Sequence, residues 1–235
     1  MSLLLIAGAF LLGSIPFGLL IGRAVAGIDV RAHGSGNLGA TNVLRVLGTR
    51  WGLLALLLDG GKGALAIALL PRVVRALAGA GPVSGSPLLG PLPGDAIAAE
   101  EVALIWTCAA WLAAVAGHVY NPWVGFRGGK GVATALGGAL ALDLPTGLLG
   151  IALFVVTVAL TRFVSVASGL MVLAFPALLA WRRPLEPLTP VVVSGAVVAL
   201  LVLWRHQANW HRLVRGRENR LGRPAPPPAR REEGN

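Results

Sequence analysis

The sequence contains very few residues of the kinds that build disulfides, metal sites or covalent catalytic centres. Its single cysteine, Cys108, lies within an apolar run, so an intramolecular disulfide and a cysteine metal site are excluded. No HExxH, GxSxG, CxxC or paired-carboxylate motif occurs. These absences exclude the common zinc peptidases, serine hydrolases and glycosidases, and we predict neither a metal nor an organic cofactor.

Charged residues are scarce as well. They make up 13% of the 235 residues, whereas 55% are hydrophobic and the mean hydropathy is +0.74. Several apolar runs approach the length of about 20 residues that a helix needs to cross a bilayer. The formal net charge is +10, but the basic residues flank the apolar runs and no nucleic-acid-binding module is recognisable. The sequence therefore predicts an all-α, polytopic integral membrane protein with no nucleic-acid partner.

Hydropathy and turn residues divide the chain into seven predicted transmembrane helices. A polar loop at 23–50 and an irregular, proline-rich loop at 71–99 separate the first three of them. Residues 1–222 are predicted to form one seven-helix domain, and the basic, proline-rich residues 223–235 a disordered tail. The predicted spans are residues 2–22, 51–70, 101–117, 134–144, 146–161, 169–181 and a last one that ends at Trp204.

The distribution of cations between alternating loops predicts the orientation, because cytoplasmic loops carry an excess of lysine and arginine. Fifteen cations fall on the side that holds the C-terminus and four fall on the other, with Lys62 inside a span. The N-terminus is therefore predicted outside and the C-terminus in the cytoplasm. All the polar motifs described below then lie on the cytoplasmic face. The four cations of the outer side are Arg72, Arg75, Arg182 and Arg183.

A glycine-rich, doubly cationic segment at 126–134 joins two of the predicted spans. Three glycines let backbone N–H groups approach a ligand, and the helical run that follows adds the positive end of its dipole. With Arg127 and Lys130, these are the parts of an anion-binding cradle. The spacing differs from that of a nucleotide P-loop, which needs a hydroxyl where Gly131 stands. A basic turn that serves only topology is the alternative.

A second polar segment, at 34–45, offers hydroxyl and amide groups together with one guanidinium. Such a set suits a small polyhydroxy anion. A turn that merely satisfies its own backbone is an equally good interpretation of the composition. The side chains concerned are Ser35, Asn37, Thr41, Asn42 and Arg45.

A third polar segment follows the last span, where His206 and Asn209 share one helix face. His206 is either a base or hydrogen-bond donor, or an interfacial residue within an aromatic belt. His211 is predicted to be interfacial. In the same way, Ser165 and Ser168 either line a polar face or cap a helix.

Two ionisable residues, Asp59 and Lys62, lie inside a predicted span. Such residues are functional candidates, but their spacing favours a pair that braces the helix. His118, where the third span meets the cytoplasmic face, is predicted to position the glycine-rich segment.

Taken in this order, these segments resemble the acyl-phosphate-dependent glycerol-3-phosphate acyltransferases of bacterial membranes. The resemblance covers nearly the whole chain, although the 71–99 loop is longer than is usual and Gly60-Gly61 replace bulkier residues. It is most specific in GSGNLGATNVLR at 34–45, in GGKGVAT at 128–134, and in Arg205-His206 followed by Asn209, Arg212, Gly216 and Glu218.

The resemblance implies an enzyme of phospholipid synthesis with seven spans, located in the bacterial inner membrane with its active site facing the cytoplasm. It implies acyl transfer from acyl phosphate to the sn-1 hydroxyl of glycerol 3-phosphate, which gives lysophosphatidic acid and phosphate. Acyl phosphate is a mixed anhydride, so no covalent nucleophile is required. Catalytic contributions are expected from His206, Asn209 and Ser35. Substrate contacts are expected from these three and from Gly36, Asn37, Thr41, Asn42, Arg45, Gly128, Gly129, Lys130, Gly131, Thr134 and Ser165, with Asp59, Lys62, His118, Arg212 and Glu218 in support.

Two functions from other classes compete with this one. A transporter of a phosphorylated solute predicts ionisable residues spread through the spans and internal repeats, and only Asp59 and Lys62 fit that pattern. A lipid-binding membrane protein without catalysis leaves the polar density of the three blocks unexplained.

Overall fold

A computed structural model describes residues 2–69, 72, 96–182 and 190–222. Within these residues all regular structure is helical. Residues 73–95 of the predicted loop and the predicted tail at 223–235 lie outside the described residues. The helices are α1 (Ser2–Gly13), α2 (Phe17–Ala26), α3 (Ala40–Leu47), α4 (Thr49–Ala68), α5 (Ala96–Val119), α6 (Val132–Leu142), α7 (Leu144–Thr161), α8 (Val164–Arg182), α9 (Pro190–Arg205) and α10 (Gln207–Val214), with short 3₁₀ turns at Val30–Ala32 and Pro122–Val124.

Several helices of the described part are long and apolar enough to cross a membrane, which confirms an integral membrane protein. Four stretches qualify, and a fifth is added if α9 and α10, bent by 56° at their junction, count as one span. Large apolar side chains such as Leu3, Leu57 and Leu160, each at least 70% exposed, cover their outer faces. The four stretches are Leu3–Ala26, Thr49–Ala68, Leu144–Thr161 and Val164–Arg182, while Val132–Leu142 is a shorter apolar helix.

The helix boundaries differ from the sequence prediction in three places. The polar loop predicted at 23–50 contains the end of α2 and the whole of α3, because Val43 is fully buried and Leu44 packs on Gly52 at the start of α4. α5 begins at Ala96, five residues before the predicted span. α8 begins at Val164, so Ser165 and Ser168 lie in its first turns and not in a connecting turn.

The first predicted span is broken at Ser14–Pro16, as its small residues and proline indicate. Close helix contacts flank the break. A Cβ at Gly13 would lie 2.0 Å from the carbonyl oxygen of Ala114 in α5, and one at Gly18 would lie 1.9 Å from that of Leu38. The break in the first predicted span therefore lies between two glycines at which the backbone closely approaches other parts of the chain.

The core lies between α4, α5, α6, α8 and α9. Trp111 is completely buried at its centre, and its indole N–H donates to the carbonyl oxygen of Ala135 over 3.2 Å. The Trp111 ring occupies the space beside Gly138, where a Cβ would lie 2.2 Å from the ring. The most extensive helix pairs are α4 with α6 and α1 with α5. Small residues at these contacts let the backbones approach closely, as is typical of membrane helices.

We expect Gly63→Ala to lower the unfolding temperature in detergent by several degrees, because its Cβ would lie 2.0 Å from the carbonyl oxygen of Thr134 in α6. Gly61→Ala is the matched control in the same helix. A Cβ at Gly61 meets nothing within 4 Å, and alanine favours the helix by about 1 kcal/mol. Thermal unfolding of the two variants measures the difference. Equal stability would show that the contact between α4 and α6 yields to an added methyl group.

Candidate active site

The polar segment at 34–45 is organised by the amide of Asn42, which is 1% exposed. Its nitrogen donates to three carbonyl oxygens at 2.8–3.2 Å, and its oxygen accepts from the backbone N–H and the hydroxyl of Ser35 at 2.7 and 3.1 Å. The three carbonyls belong to Val30, His33 and Asn37. Asn42 was predicted to bind substrate; in the structure it borders the cleft, and its polar atoms form hydrogen bonds within the loop.

The helix that follows this loop presents a cation. Arg45 lies in the last turn of α3, half-buried, and its guanidinium forms no hydrogen bond or ion pair with any described residue. Burial lowers the pKa of Arg45 from its usual value. A buried cation without a partner is costly, and a bound anion would remove that cost.

The glycine-rich segment is clamped against the end of α5. The N–H of Gly128 donates to the carbonyl oxygen of Val119 over 3.1 Å, and that of Gly129 donates to the carbonyl oxygen of His118 over 3.0 Å. A Cβ at Gly128 would lie 2.0 Å from the His118 carbonyl oxygen, and one at Gly129 would lie 2.0 Å from His118 Nε2. The two glycines were predicted to offer N–H groups to a ligand. In the structure these N–H groups bond to carbonyls of α5 instead. The absence of a side chain at both positions lets the backbone lie against α5.

A second contact, from Arg205, also holds the glycine-rich segment, and the sequence analysis did not include Arg205 among the site residues. The Arg205 guanidinium donates to the carbonyl oxygens of Gly128 and Gly129 at 3.3 and 3.4 Å. Its position beside His206 in the third sequence block was the available signal. Arg205 therefore fixes the glycine-rich segment to the end of α9.

Lys130 and the first turn of α6 offer the cleft the donors that the glycine N–H groups do not. Gly131 precedes the helix with a φ of +84°, a left-handed conformation that suits glycine. The first N–H groups of α6 have no partner within the helix. Lys130 is half-buried and forms no hydrogen bond or ion pair with a described residue, and burial lowers its pKa to about 8. Near neutral pH Lys130 is therefore still largely charged.

Asp59, Lys62 and His118 form one buried network. The Lys62 ammonium lies 2.8 Å from Asp59 Oδ1, 2.8 Å from His118 Nδ1 and 3.0 Å from the carbonyl oxygen of Ile15. The pair expected between Asp59 and Lys62 is present, and His118 contacts the glycine-rich segment as expected. The link from Lys62 to His118 and Ile15 could not be read from the sequence, because 56 and 47 residues separate the partners.

The third sequence block folds into a short helix and a returning segment. His206 lies at the junction of α9 and α10, and its Nδ1 is 2.7 Å from the carbonyl oxygen of Val202. Glu218 accepts from Asn209 Nδ2 over 2.6 Å and from Arg212 Nε over 2.8 Å. The positive charge of Arg212 is thereby balanced by Glu218. His211 is exposed.

The electrostatic environment of His206 favours the neutral ring. Burial, followed by the neighbouring charge of Lys130, lowers the pKa of His206 to about 4. The Val202 carbonyl can only accept a hydrogen bond, so Nδ1 carries the ring proton and Nε2 keeps its lone pair.

These elements enclose a cleft of about 130 Å³. It brings all three sequence blocks together with α4, α7 and α8. Ser165 is a buried residue of the lining, and its hydroxyl has no hydrogen-bond partner among the residues that the structure describes. Predicted site residues that line the cleft are Ser35, Asn37, Thr41, Asn42, Arg45, Asp59, His118, Lys130, Gly131, Ser165, His206, Asn209, Arg212 and Glu218.

Five of the predicted site residues, and Arg127, are not among the residues that line the cleft. Gly36, Gly128, Gly129, Thr134 and Lys62 do not border the cleft, and Arg127 is exposed. The prediction also missed Leu56, Phe154 and Asn219, which do border it. Leu56 and Phe154 lie within long apolar runs, where nothing in the sequence marks them. No group of three metal-ligating side chains occurs within the described ranges.

The fold and the cleft define a helical integral membrane protein with a cleft lined by cationic and polar side chains. A family model for glycerol-3-phosphate acyltransferase matches residues 3–216. Relatives of that name from Geobacter sulfurreducens and Synechococcus sp. strain CC9902 are 42% and 40% identical over 223 and 226 residues. The matches cover 94% of this chain in both cases, and 97% and 96% of the relatives.

Solved structures agree with the family match. The crystal structure of PlsY (YgiH), an integral membrane glycerol 3-phosphate acyltransferase, in its glycerol 3-phosphate form matches with a TM-score of 0.74 and 33% identity. The match covers 94% of this chain and 96% of that one. Its lysophosphatidic acid form matches with a TM-score of 0.73. The chain belongs to the glycerol-3-phosphate acyltransferase family, as the resemblance of the three blocks predicted.

We expect Lys130→Ala and Arg45→Ala each to reduce the kcat/KM of the acyltransferase reaction about ten- to a hundredfold, since one charge-assisted contact contributes about 1.5–3 kcal/mol. Arg127→Ala is the matched control, because it removes a cation from the same segment but from an exposed position outside the cleft. Steady-state kinetics of the three variants is the measurement. If Arg127→Ala lost as much activity as Lys130→Ala, the general basic charge of the segment would explain the effect, and not a cleft residue.

Proposed function

We propose that this protein transfers an acyl group from acyl phosphate to the sn-1 hydroxyl of glycerol 3-phosphate, giving lysophosphatidic acid and phosphate in phospholipid synthesis. The observation that carries the proposal is a pair of half-buried cations, Arg45 and Lys130, that form no ion pair within the described ranges and border the same cleft as His206. The family match and the glycerol 3-phosphate form of PlsY support the substrate.

The two substrates each carry a phosphate, and the cleft holds cationic groups for both. Arg45 lies on α3, whereas Lys130 and the N-terminus of α6 lie across the cleft on the glycine-rich segment. Held on separate elements, the two groups bind two anions side by side. With both substrates bound, the reaction takes place within one complex and no longer needs an encounter in solution. For an enzyme that uses no covalent nucleophile, this positioning accounts for a large part of the rate enhancement.

The polar side chains between the cations orient the glycerol hydroxyl. Ser35 donates its own proton to Asn42, so its oxygen is left as an acceptor, and the amide nitrogen of Asn209 is held by Glu218, so its oxygen is an acceptor too. His206 Nε2 accepts a hydrogen bond from the attacking hydroxyl and orients its oxygen toward the acyl carbon. The carbon–oxygen bond to phosphate breaks as the new ester bond forms, and the hydroxyl proton passes to the released phosphate.

The apolar residues of the cleft suit the acyl chain. Leu56 on α4, Phe154 on α7 and Val164 on α8 line its wall, next to helices whose outer faces are covered with leucine and valine. The chain enters and the product leaves between these helices, so membrane lipid is the natural partner. Burial of each CH₂ group contributes about 0.8 kcal/mol to holding the acyl donor.

The chief alternative is transport of a phosphorylated solute. A transporter binds its solute near the bilayer midplane between repeated halves. Here the ionisable residues of the cleft come largely from the segments at and beside the helix ends, and Asp59, the partner of Lys62, borders that same cleft. Acyl transfer therefore accounts for the arrangement better.

Purified protein supplied with palmitoyl phosphate and labelled glycerol 3-phosphate is expected to form lysophosphatidic acid and one phosphate per product. The same protein in sealed vesicles, without acyl phosphate, is expected to move no glycerol 3-phosphate. The Lys130→Ala protein is the negative control for the first assay. Flux of glycerol 3-phosphate without acyl product would favour the transporter and reject acyl transfer.

We also propose seven spans, with the N-terminus outside, the C-terminus in the cytoplasm and the cleft facing the cytoplasm of the bacterial inner membrane. The support is the charge distribution and the position of every cleft-lining motif on one predicted face. Counting α5, the short α6 and α9 with the four long stretches gives seven. At about 1.5 Å per residue, α6 is short for a full crossing, so it spans only with help from its connecting segments.

Single cysteines in a Cys108→Ser protein test this orientation. A cysteine at Arg127, which is exposed, is expected to react with a membrane-impermeant thiol reagent only after the cells are opened. A cysteine at Ser84, in the loop predicted outside, is expected to react in intact cells. The reverse pattern would overturn the orientation while leaving the fold and family unchanged.

A further inference from the structure

The two buried histidines of the cleft are held in opposite tautomers. In His206, the ring proton lies on Nδ1, because that atom is 2.7 Å from the Val202 carbonyl oxygen. Nε2 of His206 is therefore a hydrogen-bond acceptor. His118 also borders the cleft and is 6% exposed, but its Nδ1 has a partner of the opposite kind.

The partner of His118 Nδ1 is the ammonium of Lys62, at 2.8 Å. An ammonium group has three protons and no lone pair, so it can only donate. Its two other contacts, with Asp59 Oδ1 and the Ile15 carbonyl oxygen, are also with acceptors. The Asp59 carboxylate is 3.6 Å from His118 Nδ1, too far for a competing hydrogen bond. His118 Nδ1 therefore accepts, and the proton of the neutral ring lies on Nε2.

The Nε2–H group of His118 is left without a partner. It forms no hydrogen bond with any residue in the described part of the chain, and it lies against Gly129, next to the segment that carries Lys130. An acceptor supplied by a ligand in the cleft would give this donor a partner.

We propose that His118 is a substrate-binding residue whose Nε2–H donates to a phosphate oxygen in the cleft, with Lys62 as the positioning residue that fixes its tautomer. This inference rests on the proposed acyl transfer and adds a ligand to it. Asp59 balances the charge of Lys62, so the network itself brings no net charge to the site. In the transfer step, the hydroxyl proton passes to the released phosphate, while His118 keeps its own.

Two substitutions separate this role from a purely structural one. In His118→Asn, the amide oxygen replaces Nδ1 as the acceptor for Lys62, but no donor remains at Nε2. In His118→Gln, the longer amide restores a donor near the position of Nε2. We expect His118→Asn to raise the KM for a phosphate-bearing substrate at least about tenfold, with a smaller change in kcat, and His118→Gln to recover most of that loss.

His211→Gln is the matched control, since His211 is exposed, and its KM is expected to stay within about twofold of wild type. Normal KM values in His118→Asn would overturn the proposal. A fully active His118→Asn beside an impaired His118→Gln would assign His118 to support of Lys62 alone.

The tautomers can be measured without any variant of the network. Protein labelled with ¹⁵N-histidine contains four histidines, and variants of the exposed His33 and His211 assign two of the signals. We expect one buried ring protonated on Nε2 and the other protonated on Nδ1, with inorganic phosphate shifting only the first. Two rings with the same tautomer would reject the inference. Wild-type protein that shows opposite tautomers and a phosphate shift but forms no lysophosphatidic acid would instead reject the proposed function.

Discussion

The ammonium of Lys62 holds three parts of the fold at one point inside the membrane protein. It bonds to Asp59 in its own helix, to His118 at the end of α5, and to the Ile15 carbonyl at the break between α1 and α2. Each of these partners borders or supports the cleft. Removing one member of a buried ion pair typically costs 3–5 kcal/mol, because the other charge is left uncompensated. The site therefore depends on a charge that does not itself face the ligand.

Close backbone contact is the second constraint on the site. Gly128 and Gly129 let the glycine-rich segment lie directly on α5, and Arg205 holds the same segment against α9. Gly63 and Gly137 let α4 and α6 approach until carbonyl oxygens fill the space of a side chain. As a result, Lys130 and the start of α6 are placed rigidly against α4, where Asp59 lies. Rigid placement means that little reorganisation is needed when the anions bind.

The charges of the cleft are divided between those that are satisfied and those that are not. Glu218 pairs with Arg212, and Asp59 pairs with Lys62, so these four serve structure. Arg45 and Lys130 have no such partner among the described residues, and burial lowers the pKa of both. The unpaired cations are the part of the arrangement that a bound phosphate completes. Lys62 is more deeply buried than either of them, but its charge is already balanced by Asp59.

The sequence by itself determined the membrane class, the three polar blocks and, through their order, the family. Apolar run length and the type of residue in each block suffice for these, since both are local properties. It also indicated the pairing of Asp59 with Lys62, because three residues along a helix are neighbours. Only the tertiary structure decided that the N–H groups of Gly128 and Gly129 bond to carbonyls of α5, that Asn42 shapes its loop, and that Leu56, Phe154 and Asn219 border the cleft. These facts depend on contacts between helices far apart in the chain, and so does the tautomer of His118, which a lysine 56 residues away determines.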